Sequence, residues 1–235
     1  MTTTRIVALL TGLAGLVALA ITVAFSLLPA VTAAGACVAS GDVIAFELAT
    51  TQAELTRIFH PLGDPCRPLA LAAMDQVNTL DTFAYIPAYT AFAILAVLFL
   101  AGNLRRPLPM AAVTLAGLAL AADYLETSTL LTITRDVEAG AALTGRASLA
   151  AWIKFGALAG HAALLAAVCF TGQPRRRVLG GLLLLPLPAF LVMVADPTRH
   201  GLLSLAFFAS WTPLMLMALW EALRPRQPAP AHYAL

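Results

Sequence analysis

Apolar positions along the chain gather into six long runs, at about residues 6–28, 80–101, 108–132, 149–170, 178–195 and 202–221, separated by short breaks rich in proline, glycine and charge. Each run is close to or above the roughly 18 residues that an α-helix needs to cross about 30 Å of hydrocarbon. Lipid offers no partner to backbone polar groups, so an apolar run of this length is expected to cross as a helix. The pattern therefore predicts an all-α, integral membrane six-helix bundle. It forms one polytopic domain over residues 1–223 and ends in a proline-bearing tail, 224–235.

The longest break, about residues 35–79, has a pattern of its own. From Asp42 to Phe59 the apolar Val43, Ile44, Phe46, Leu48, Leu55, Ile58 and Phe59 alternate with Glu47, Thr51, Glu54 and Arg57 near helical spacing, after the cap signal Ser40-Gly41-Asp42. The spacing predicts one amphipathic, extracytoplasmic helix between spans one and two, lying on the membrane surface or over the mouth of the bundle. Pro61, Gly63, Pro65 and Pro68 end it, and a second helix is expected to run from there into span two with Asp75, Asn78 and Asp81. The remaining connections are short, which predicts antiparallel neighbours.

Composition agrees with the pattern. The chain is 60% hydrophobic and 11% charged, with a mean hydropathy of +0.87, whereas a soluble domain carries about 25% charge. Disordered, collagenous, disulfide-dense and nucleic-acid-binding classes are excluded on the same grounds, and no nucleic-acid partner is expected. With the N-terminus inside, Arg5, Arg105, Arg106, Arg175, Arg176, Arg177, Arg224 and Arg226 fall on the cytoplasmic side, against Arg57, Arg67, Arg135, Arg146 and Arg199 outside. That bias places both termini in the cytoplasm of a multi-pass cell-membrane protein. Cys37 and Cys66 then share the outer loop, where an oxidising compartment favours a disulfide. Arg5, an apolar run and Ala33-Ala34-Gly35-Ala36-Cys37 partly match a secretory signal, but the run exceeds the about 7 to 15 residues of a signal core, so the first span is expected to be retained.

Polar groups within the spans are costly unless paired, which makes them the candidates for chemistry. Asn78, Asp81, Tyr85 and Tyr89 follow i, i+3, i+7, i+11; Asp123, Glu126 and Thr127 follow i, i+3, i+4; Lys154 and His161 lie seven apart. Three helices thus each carry a polar stripe, and the least costly arrangement turns them toward a shared, outward-facing pocket. Asp123, Glu126, Asp81, Tyr85, Lys154 and His161 are the candidate catalytic groups, with Glu47, Tyr89, Asn78 and Trp152 as candidate substrate contacts. Arg57, Asp196 and Arg199 are further rim candidates. Structural readings stay open beside these: an Asp123–Lys154 pair fixing register, a His161 hydrogen bond at a close crossing marked by Gly156 and Gly160, an interfacial Asp81, and Tyr85, Tyr89 and Trp152 as an aromatic belt.

Asp123-Tyr124-Leu125-Glu126 also has carboxylate spacing able to hold a divalent cation. No cofactor is evident otherwise: there is no HExxH, CxxC, Walker glycine loop, GxSxG or dinucleotide fingerprint. The order Phe46-Glu47-Leu48-Ala49, Asp81 with Tyr85, then Asp123 with Glu126, resembles bacterial multi-pass proteins of similar length with no assigned activity, over about residues 40 to 130. In size and in carrying buried carboxylates the chain is also similar to small polytopic terpene cyclases, a resemblance that implies acid-initiated isoprenoid chemistry. Its 8% aromatic content departs from that likeness. The leading expectation is an enzyme that uses carboxylate acid/base chemistry on a lipidic or isoprenoid substrate, with membrane lipids as surroundings. A proton- or cation-coupled transporter or solute-binding protein is the first alternative, and a structural or accessory protein the second. Oligomeric state is left open.

Overall fold

The computed structural model describes residues 3–39, 41–171 and 174–224. Ser40 of the cap signal, Arg226 and the tail from residue 225 lie outside the described residues, as does the side chain of Arg175. The described residues are helical with no strand. They form α1 (Thr3–Phe25), α2 (Pro29–Ala34), α3 (Asp42–Leu48), α4 (Gln52–Phe59), α5 (Cys66–Leu80), α6 (Ile86–Ala101), α7 (Pro107–Arg135), α8 (Val137–Gly140), α9 (Thr144–Phe170), α10 (Pro174–Leu183), α11 (Pro186–Ala195) and α12 (His200–Leu223). Six helical stretches among them are long and apolar enough to cross a membrane, by length and composition. Together they suggest a multi-pass, transmembrane helical bundle.

Local chemistry sets the ends. Pro107 and Pro186 occupy first-turn positions, where a missing N–H costs nothing, and Gly102 closes α6 in the left-handed region at φ 65°. α5 and α6 form one rod from Cys66 to Ala101, interrupted by a single wide π turn over Asp81–Tyr85. The turn immediately precedes Pro87, which lacks the N–H that an α-helix would pair with the Phe83 carbonyl.

The most extensive packing is between α7 and α9. Buried Ala112, Ala116, Ala119, Asp123, Glu126, Leu130 and Ile133 on α7 step by alternating four and three, and so do Ala147, Ala151, Lys154, Leu158, His161 and Leu165 on α9. This is a heptad seam. Alanine lets the backbones approach, and the charged residues sit in the seam at mid-length. α1 closes against α12 and α6 through small residues: a Cβ on Gly12 would lie 2.4 Å from Leu219, and one on Gly15 would lie 2.9 Å from Phe92. Below them a core of Ala96, Val97, Leu100, Leu165, Leu183, Leu214 and Ala218 fills the end of the bundle that carries the arginine pairs.

Residues 35–66 cap the opposite end and differ from the expected single surface helix. α3 and α4 are separate, with the chain broken at Ala49–Thr51. Thr51 accepts from the Glu54 N–H while the Glu54 carboxylate takes the Thr51 N–H at 2.9 Å, a capping box that starts a new helix in mid-pattern. On α9, Ser148 and Thr144 donate to the carbonyls of Leu48 and Thr50 on either side of the break. The apolar faces are buried in protein: Phe46, Leu55, Ile58 and Phe59 pack on Ala70, Met74, Leu130, Ile133 and Ala147 of α5, α7 and α9. A Cys37–Cys66 disulfide ties the cap to the start of α5. Buried Arg67 adds a second tie, donating to the His60 carbonyl at 2.9 Å and pairing with Glu138.

Candidate functional site

The charged residues of the α7–α9 seam converge on one ammonium. Lys154 Nζ lies 2.8 Å from Glu126 Oε2, 3.2 Å from Asp123 Oδ1 and 3.2 Å from Glu47 Oε2. The first two carboxylates come from one face of α7, one turn apart, and the third from α3 of the cap. Next to Glu47, the chain break after Leu48 is held on α9 by Ser148 and Thr144, which donate to the Leu48 and Thr50 carbonyls. Asp123, Glu126 and Lys154 are only 2%, 1% and 6% exposed. Asp123 Oδ1 and Glu126 Oε2 face the ammonium without hydrogen-bond geometry, so charge attraction holds them. Glu47 lies outside the spanning segments, and its burial pushes its carboxyl above the ordinary value of 4.5 despite the opposing pull of Lys154.

A second pair joins the rod of α5 and α6 to α7. Tyr89 Oη donates to Asp123 Oδ2 at 2.7 Å, and Thr127 Oγ1 donates to Asp81 Oδ2 at 3.0 Å. The π turn keeps Asp81, Tyr85 and Tyr89 on one side. Tyr85 and Tyr89 stand 5.4 Å apart between ring centroids, and Tyr89 reaches Trp211 of α12 at 6.2 Å.

These groups edge a cavity of about 590 Å³ in the cap half of the bundle. Glu47, Asn78, Asp81, Asp123 and Lys154 form its polar wall, and Phe25, Tyr85, Tyr89, Phe92, Phe155, Phe207, Phe208 and Trp211 its aromatic wall. Eight of the chain's eighteen aromatic residues thus surround one space, and the low aromatic content of the whole sequence does not describe the pocket. The floor is Gly15, Phe92 and Met215, backed by the core at the arginine end. Between α1 and α12, Thr22, Ser204 and Phe208 line the cavity and are also exposed, Phe208 by 55%, which makes this gap its mouth. The helix surfaces beside it carry exposed Leu16, Val23, Leu202 and Leu205.

Several expected members stand elsewhere. His161 Nδ1 is hydrogen-bonded to the Ala112 carbonyl of α7 at 2.9 Å, away from the cavity, as its structural reading required. Trp152 packs edge-on against Phe190 of α11 at 6.1 Å and is not among the residues that line the cavity. Arg57 is exposed, and Asp196 pairs with Arg199 at 3.1 Å on the surface, so the rim next to Glu47 comes from Gly41, His200 and Gly201 instead. The place between Asp123 and Glu126, whose spacing is able to hold a divalent cation, is filled by Lys154, and among the described residues no three His, Cys, Asp or Glu side chains are grouped to hold a metal. Sequence reasoning missed the contribution of α12. Ser204, Phe208, Trp211 and Met215 do recur at four, three and four, but in a run so apolar that no polarity contrast marks the face.

The arrangement offers a carboxyl group, Asp81, with no ammonium or guanidinium among the described residues within 4 Å, beside an aromatic and apolar wall. That combination suits proton transfer to or from an apolar molecule. No family model, no curated protein and no solved structure matches this chain, so the functional reading stands on the site itself.

Proposed function

We propose that the protein is an integral-membrane enzyme performing acid/base chemistry on a lipidic, isoprenoid-type substrate, with Asp81 as the proton-transferring group. The observation that carries this reading is the position of Asp81: it edges the aromatic cavity while Lys154 is committed to the other three carboxylates. In the proposed reaction the O–H bond of the Asp81 carboxyl breaks as a C–H bond forms at one alkene carbon. The faces of Tyr85, Tyr89 and Trp211 stabilise the resulting cation. A proton lost from a neighbouring carbon returns to the Asp81 carboxylate, so the net change is double-bond migration or ring closure, with no other reactant. Tyr89, Asp123, Glu126 and Lys154 are positioning groups that hold the wall in register.

The sidedness of the arginines and the Cys37–Cys66 disulfide support a cell-membrane location with both termini cytoplasmic and the cap outside, so the cavity faces outward. A proton- or cation-coupled carrier is the competing reading, favoured by the excess of carboxylates over Lys154. The observation that favours the enzyme over it is the aromatic wall of Tyr85, Tyr89 and Trp211 beside Asp81, which suits a carbocation rather than a hydrated ion.

The test is deuterium incorporation into polyprenyl lipids incubated with the purified protein in heavy water. Wild type should label carbon-bound positions, and Asp81→Asn should slow labelling by about 100-fold or more, the usual scale for a lost general acid. Equal labelling by the two proteins, or none by wild type, rejects the reading.

A further inference from the structure

Among the described residues that line the cavity, Asn78 has a buried donor without an acceptor. Asn78 is 5% exposed, lines the cavity, and its amide Nδ2 has no hydrogen-bond partner among the described residues. A buried donor left unpaired costs about 1 to 3 kcal/mol, so such a group in a cavity points to an acceptor supplied by an occupant. Asn78 lies one helical turn from Asp81, toward the cap. The surrounding charge restricts what that acceptor can be. Three carboxylates, Glu47, Asp123 and Glu126, share the one ammonium of Lys154, and among the described residues Asp81 has no ammonium or guanidinium within 4 Å and no arginine lines the space. A phosphate or diphosphate would meet carboxylate repulsion with no guanidinium fork to receive it. An ammonium would satisfy the carboxylates but cannot accept from Asn78.

We propose that the ligand is an amphiphile with an uncharged oxygen head, a hydroxyl or carbonyl, whose oxygen accepts from Asn78 Nδ2 and whose chain leaves through the gap between α1 and α12. The reacting carbon then lies near the head, within reach of Asp81. The tail passes Phe208 into the surrounding lipid. The proposal rests on the reading that this cavity takes a lipidic substrate; it does not need that substrate to react.

Native mass spectrometry of the wild-type protein against four probes of one chain length tests it: geranylgeraniol, its diphosphate, its amine and the headless hydrocarbon. The alcohol should occupy the protein at least about tenfold more tightly than any of the other three, the scale of one buried hydrogen bond or an unpaired charge. In Asn78→Leu the alcohol should lose its advantage over the hydrocarbon while hydrocarbon binding persists, which also reports that the variant is folded. Tighter or equal binding of the diphosphate or the amine, or an undiminished alcohol preference in Asn78→Leu, overturns the assignment. Alcohol preference without deuterium exchange would retire the enzyme and keep the head-group assignment. Exchange on a diphosphate-headed substrate would do the reverse.

Discussion

Replacing Lys154 with methionine tests whether the buried cluster is held by one charge. Methionine keeps most of the side-chain volume, so packing in the seam between Ala151 and Leu158 is little changed. What disappears is, among the described residues, the one cation within 4 Å of Asp123, Glu126 and Glu47, at 3.2, 2.8 and 3.2 Å. Breaking one buried ion pair costs about 3 to 5 kcal/mol, because the remaining charge is left in a poor solvent. Three carboxylates are orphaned here, partly offset by the desolvation that Lys154 no longer suffers, so about 4 kcal/mol is the expected loss at neutral pH. For a chain of this size that lowers Tm by about 8 to 16 °C, read by thermal unfolding in detergent. The deficit should narrow at acidic pH, where orphaned carboxylates accept protons, and Lys154→Met with Glu126→Gln should recover part of it. A Tm within about 2 °C of wild type, or a deficit that does not change with pH, would refute the claim that Lys154 neutralises this cluster.

The cap makes separable predictions. Cys37 and Cys66 close a loop of sequence separation 29, and opening it by Cys37→Ser with Cys66→Ser should remove about 3 to 4 kcal/mol of chain-entropy stabilisation. A reductant should reproduce the loss in wild type and leave the double variant unmoved. Two glutamates of the cap should respond to pH with opposite signs. Glu54 is held below 4.5 first by the Thr50 N–H and further by Thr51, so its stabilisation of α4 is complete above pH 4.5 and fades as pH falls through the depressed value; amide-exchange protection of residues 52–59, corrected for intrinsic rates, should follow that course and flatten in Glu54→Gln. Glu47 is raised by burial, so its contribution is complete below pH 4.5 and is lost as pH rises through the raised value; Glu47→Gln should remove that alkaline-side decline.

Much of the architecture is written in hydropathy, since runs of apolar residues and proline breaks are local properties. The stripe Asp81, Tyr85, Tyr89 and the pair Asp123, Glu126 were legible because polar residues in apolar helices must face inward, and the structure does bring them together with Lys154 and Glu47. The break at Ala49–Thr51 was hidden because the apolar residues on both sides keep one helical phase, while the signal that ends it, Thr51 with Glu54, reads as two more polar positions of the same face. His161 and Trp152 were drawn toward the pocket by chemistry rather than by position. His161 belongs to the seam and finds a backbone carbonyl there, and Trp152, two residues before Lys154, faces α11. The aromatic wall was the least legible part. Phe25, Phe207 and Trp211 lie at opposite ends of the sequence in spans that are apolar throughout, and only the packing of α1 on α12 makes them one surface.

The position of the polar cluster within the seam accounts for both stability and reach. Had Asp123, Glu126 and Lys154 sat at the surface, their attraction would be worth little and their geometry loose. Placed at the middle of an alanine-rich heptad pair, they admit one register of α7 on α9, because a shift of one turn would strand each charge against apolar side chains. That register in turn sets where Tyr89 meets Asp123 and where Thr127 meets Asp81, so the wall of the cavity inherits its geometry from the ion cluster. Glu47 extends the same constraint to the cap, which the disulfide and Arg67 already hold at its other edge. The side of the cavity made by α1 and α12 is tied near the mouth by ring contact instead, Phe25 standing edge-on to Tyr85 at 5.5 Å. Its close contacts, at Gly12 and Gly15, lie toward the arginine end, and the helices carry exposed Thr22, Ser204 and Phe208 where they face the opening. Under the proposed function, a wall fixed by the ion cluster opposite an exposed gap between α1 and α12 would admit a long apolar chain sideways while Asp81 keeps its place.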